Sequence, residues 1–84
     1  MEKDIKDRII RDFKTKAEEA LSLVDDFEQN KKLDPRISRC VVLLAAGDIT
    51  ELKEAIKEAK TDWRDVILWA EKRGFDTKKR FENE

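Results

Sequence analysis

The sequence predicts an all-α fold: a compact four-helix bundle in which a long N-terminal helix packs on three shorter helices joined by tight turns. Three observations lead there. Apolar residues recur at the helical period through most of the chain. Capping residues, Asp34, Asp48 and Thr61 or Asp62, stand in front of such stretches. The only glycines, Gly47 and Gly74, stand where stretches end. Residues 1–76 are expected to form a single helical domain and residues 77–84 a frayed polar tail.

Residues 2–30 read as one amphipathic helix. At roughly 100° per residue, Ile5, Ile9, Ile10, Phe13, Ala17, Ala20, Leu21, Leu23, Val24 and Phe27 fall within an arc of about 160°. Thr15-x-x-Glu18 has the form of a capping box that would split the segment. The apolar arc keeps its phase through Thr15, so a continuous helix is expected. Asp4–Arg8, Asp7–Arg11 and Asp12–Lys16 place acid four residues before base, which supports a helix by about 0.3 kcal/mol per pair.

Residues 30–33 read as a loop, after which Asp34 caps a second helix with Pro35 in its first position, where the missing N–H costs nothing. That helix runs to about Ala46 and stops at Gly47. Its second half is apolar all round, so it is expected at the buried centre. Periodicity alone would allow a strand over 41–44, but the chain offers it no partner strand. Asp48-x-x-Glu51 opens a third helix as a capping box, with Ile49, Leu52, Ala55, Ile56 and Ala59 as its apolar stripe. Thr61 or Asp62 caps a fourth, whose core stripe is Trp63, Val66, Ile67 and Ala70. Gly74 ends it, with Phe75 folding back on Ala70 as in a Schellman motif.

Composition narrows function mainly by exclusion. The chain has 84 residues, 46% of them charged, and a net charge of −1, so it neither attracts a polyanion nor steers a basic partner at long range. A chain this short buries only about 60–65% of its unfolded surface, which makes efficient packing or a partner important. No apolar run approaches a membrane span and no secretory leader follows Met1, so a cytoplasmic location is expected.

Arg39-Cys40-Val41, Leu44-Ala45-Ala46-Gly47-Asp48, Asp62-Trp63-Arg64-Asp65-Val66 and Trp69-Ala70-Glu71 together resemble a group of small uncharacterised bacterial helical proteins. The resemblance covers residues 39–71, well under half the chain. It implies a bacterial source and an all-α fold, and it brings no activity, ligand or catalytic residue.

The chain contains no histidine, which removes the commonest general base and metal ligand. With one cysteine besides, a structural zinc site lacks ligands. Two separated glycines cannot build a phosphate loop. Asp25, Asp26 and Glu28 cluster without EF-hand spacing and read as a solvated helix end. Asp62 and Asp65 share a face as an acid/base pair would, but capping accounts for them. Cys40 lies beside Val41 and Leu44, where a buried reduced thiol is expected rather than a nucleophile. No cofactor and no small-molecule substrate are inferred, and an enzyme is the least expected class.

Binding is therefore the expected role: a protein-interaction or regulatory module, taking another protein or a second copy of itself. Ile5, Ile9 and Phe13 are one expected contact face, because the long first helix outruns what the later helices can cover; packing on the fourth helix is the alternative. Trp69 is the other, either packed on the first helix or exposed as an anchor. Arg36 and Arg39 are placed to pair with Asp62 or Asp65, with surface exposure as the alternative. The alternative from a different class is a small nucleic-acid-binding protein of helix-turn-helix type. Its reading helix would begin Asp48-Ile49-Thr50-Glu51 and alternate Glu with Lys, where phosphate contact calls for clustered bases.

Overall fold

A computed structural model of the chain describes residues 1–30 and 34–76. The expected loop residues 31–33 and the expected tail at 77–84 lie outside the described residues. The elements are helix α1 (Lys3–Phe13), a 3-10 turn (Lys14–Lys16), α2 (Ala17–Asn30), α3 (Pro35–Ala45) and α4 (Ile49–Lys72). Among the described residues there is no strand, and 41–44 is helical.

The bundle of one long and three shorter helices is not what forms. The expected first helix breaks after Phe13, where Lys14 takes φ 50° and ψ −110° and its N–H returns to the Ile10 carbonyl. A straight helix over residues 3–30 would be about 42 Å long, whereas the longest dimension of the domain is 29 Å. The break lets α1 and α2 pack on each other and on one core, so Ile5, Ile9 and Phe13 join Ala20, Val24 and Phe27 inside it. The unbroken phase of the apolar arc said which face is buried; it carried no information about straightness.

Lys14 holds a conformation that suits glycine, close to the first central position of a type II′ turn. Relief of strain should outweigh the added chain entropy of glycine. Lys14→Gly is therefore expected to stabilise the fold by about 1 kcal/mol, read as a rise of about 5 °C in thermal midpoint.

α3 is the centre of the molecule, as expected. Ile37, Cys40, Val41, Val42, Leu44 and Ala45 are buried, packed chiefly against α4 and also against α1. Asp34 accepts from the Arg36 N–H at 2.8 Å, with Pro35 in the first turn. At the other end Ala46 and Gly47 both take positive φ, 49° and 82°. There the chain meets α1: a Cβ on Gly47 would lie 2.6 Å from the Asp12 carbonyl oxygen. A second tie joins the same helices, through Arg39 and Asp4, 35 residues apart. Gly47 and Asp12 are separated by the same number of positions, so α1 and α3 run parallel in fixed register.

α4 carries a bend at Asp62, whose φ of −150° and ψ of 97° are extended. A straight helix of 24 residues would measure about 36 Å, again more than the domain's 29 Å. The element is thus an elbow with arms 49–61 and 63–72, joined where the sequence placed a helix boundary. Thr61 donates to the Lys57 carbonyl at 3.2 Å to close the first arm, and Asp62 accepts from the Arg64 N–H at 3.1 Å to open the second. The second arm ends in the expected Schellman motif. Gly74 N–H bonds the Glu71 carbonyl, Phe75 N–H bonds the Ala70 carbonyl, and the Phe75 side chain packs on the core.

Candidate interaction surface

The surface of interest is built by the elbow of α4. Asp48 caps the first arm by accepting from Thr50 N–H at 2.8 Å and Glu51 N–H at 3.2 Å. The reciprocal half of the expected capping box is missing, because the Asp48 N–H already donates to the Ala45 carbonyl at 2.9 Å. Glu51 is therefore not held at the cap and stands exposed.

On a helix turning roughly 100° per residue, Glu51, Glu54 and Glu58 fall within about 60° of one another, on one flank of the buried stripe. Lys53, Lys57 and Lys60 occupy an equally narrow sector on the other flank. The alternation of sign along the chain is thus a segregation of sign around the helix. Lys53 lies 3.9 Å from Glu19 of α2. No ion pair among the described residues involves Glu51, Glu54 or Glu58.

The elbow brings the second arm back over this acidic flank. Trp69, Leu44 and Ala55 line one cleft together with the three glutamates. Arg73 lines it too, donating to the Leu44 carbonyl at 3.3 Å. Trp69 is 43% exposed, Leu68 49% and Trp63 41%. Trp69 is therefore not packed away against the first helix. Trp63, expected in the core stripe, lies outside it while Val66, Ile67 and Ala70 remain buried. As the first residue after the elbow, its side chain leans back past the covered part of the arm. Arg64 sits over its ring, 5.7 Å from the centroid.

The other expected contact residues lie elsewhere. Ile5 and Ile9 are fully buried and Phe13 nearly so. They form core, not a docking face, because the break at Lys14 folds α1 onto the rest of the chain. Ile10 is the large apolar residue that α1 leaves outside, and a single exposed isoleucine is ordinary.

Arg36 and Arg39 do not reach Asp62 or Asp65. Arg36 lies 3.8 Å from Glu71. Arg39 is buried and forks onto buried Asp4, Nε to Oδ2 at 2.9 Å and Nη2 to Oδ1 at 3.3 Å, with Glu2 also 3.3 Å from Nη2. The hydrogen bond to Asp4 raises the Arg39 pKa, against the opposing effect of burial. α3 turns this side chain toward α1, away from α4. Its polar neighbour Ser38 donates to Glu28 at 2.7 Å. Asp25 accepts from Gln29 at 3.0 Å. Among the described residues no cluster of carboxylates and thiol is placed to hold a metal ion, and no helix is long and apolar enough to cross a membrane.

Cys40 is free and fully buried, with its thiol pKa pushed from 9.0 up to about 11 by burial, while Arg36 draws it down and Glu71 pushes it up. Below pH 9 the thiol is neutral in both the folded and unfolded chain, and its contribution is fully present. Above pH 9 the unfolded chain ionises first, so that contribution declines and is lost as pH rises through about 11. The expected loss is on the order of 2 kcal/mol. Urea denaturation across this range should show a shallower decline for Cys40→Ala than for the parent chain, and native-state thiol labelling of the parent should be slow.

No family model, curated protein or solved structure matches this chain.

Proposed function

We propose that the protein is a small interaction module that acts by burying the aromatic surface of the second arm of α4 against another protein, without chemistry of its own. One observation carries the reading. The chain has two tryptophans, and both stand outside its core on this short arm, about 120° apart around the helix, where Leu68 is exposed as well. Tryptophan is the side chain that gains most from burial and the one most enriched among energetic anchors of interfaces. A domain with so small a core would ordinarily use such residues inside it. The glutamates beside Trp69 would repel nucleic-acid phosphates, which weighs against the nucleic-acid reading.

The test is site-specific photo-crosslinking in the source cells. A benzophenone amino acid at position 68 or 69 should give a discrete heavier adduct with another protein, and the same group at exposed Glu18 should not. Absence of adducts from both arm positions would remove the reading.

A further inference from the structure

Resting on that reading, we propose that the cleft between the arms of α4 binds a basic segment of the partner protein, an arginine or lysine of which lies on Trp69 among Glu51, Glu54 and Glu58. Charge complementarity and shape together favour this occupant. In a straight α4, Glu51 and Trp69 would lie about 27 Å apart along the axis; the elbow at Asp62 makes them walls of one cleft. The floor is apolar, from Leu44 and Ala55. Two of the three carboxylates on the rim are exposed and the third half-buried, and none is committed to an ion pair among the described residues.

An exposed indole beside uncommitted carboxylates is an arrangement that a flat, weakly hydrated guanidinium satisfies on both counts, by stacking and by charge-assisted hydrogen bonds. A purely apolar partner would leave the carboxylates to be desolvated without compensation. An acidic partner would face three carboxylates against the single guanidinium of Arg73, which is already donating to Leu44. The lysines of the first arm lie on its other flank and do not neutralise the rim. The net charge of −1 hides this local field, because acids and bases cancel only over the whole chain.

The test uses the full chain carrying Trp63→Phe, so that Trp69 alone reports. The probes are a nine-residue arginine/alanine peptide, the same peptide with glutamate for arginine, spermidine, and a single-stranded RNA. The basic peptide should change Trp69 emission saturably. Binding should weaken about tenfold in Glu51→Gln/Glu54→Gln/Glu58→Gln, and it should fall steeply with added salt. Asp7→Asn/Glu18→Gln/Asp26→Asn, which removes equal charge from exposed positions elsewhere, should leave binding unchanged.

Peptide binding that is absent, or indifferent to the cleft glutamates, would overturn the proposal, as would equal binding of spermidine or preference for RNA. The cellular adduct at position 69 separates this failure from that of the interaction reading. An adduct that persists in the triple glutamine chain leaves a protein interface without a basic occupant, whereas no adduct at all removes both.

Discussion

Gly47→Ala is expected to destabilise the fold by about 3 kcal/mol, enough to lower the thermal midpoint by about 15 °C. Two costs coincide at this position. The backbone has φ 82°, a region where an L side chain costs about 1–2 kcal/mol. The new Cβ would also sit 2.6 Å from the Asp12 carbonyl oxygen. That oxygen belongs to the backbone of α1 and cannot swing aside as a flexible side chain would, so α1 and the α3–α4 turn must separate. Gly74→Ala supplies the internal control. It shares the positive φ, 87°, but nothing lies within 4 Å of its Cβ position. Only the conformational cost of about 1 kcal/mol should appear there. Thermal melts of the two variants side by side measure the difference, which is the contribution of close approach. Equal losses would show that the turn yields without strain.

The second large effect concerns Asp4 and Arg39. Asp4→Leu leaves a buried guanidinium with Glu2, which is partly exposed, as a remaining carboxylate. A loss of about 3 kcal/mol is expected, because the buried guanidinium loses its forked, buried partner and keeps only a partly exposed one. Arg39→Met alone should cost a similar amount, because it takes the fork away from buried Asp4. The double replacement Asp4→Leu/Arg39→Met should recover most of the loss, since apolar residues in the same volume need no partner. Urea denaturation of the four chains forms a double-mutant cycle whose coupling term should be strongly favourable to the pair. Additive losses would mean that the two side chains are independently hydrated and that the fork does not hold α1 to α3.

The parts of this fold that were legible in the sequence are those set by local chemistry. Asp34, Asp48 and Asp62 cap because a carboxylate beside orphan amides does so whatever the tertiary context. Gly47 and Gly74 end helices for equally local reasons. Cys40 is buried because its neighbours are apolar. What escaped depends on the position of one element relative to another. The break at Lys14 has no glycine or proline to announce it. Thr15-x-x-Glu18 offers a split at that place, but an apolar arc retains its phase across a bend and so argues for continuity. Trp63 matched a core stripe in period but lies at the start of its arm, where Arg64 sits over its ring and the core does not enclose it. Arg39 and Asp4 are unremarkable in a chain rich in both charges, and only the parallel placement of α1 and α3 brings them together. The acidic rim of the cleft was within reach of sequence reasoning. A helical wheel of the first arm separates its glutamates from its lysines, whereas reading the signs in linear order mixes them. Which residue those glutamates face could not be read, because that depends on the angle of the elbow.

The constant offset of 35 positions between the two ties of α1 to α3 bears on how this chain can change in length. A residue inserted between Asp4 and Asp12, or between Arg39 and Gly47, advances one helix by about 1.5 Å and turns it by about 100°. The fork and the close approach could then no longer be satisfied together. Insertions between Phe13 and Pro35 leave the spacing on both helices untouched. Lineages descended from this chain should accordingly vary in length along the path that joins the two rails and keep the rails themselves free of gaps.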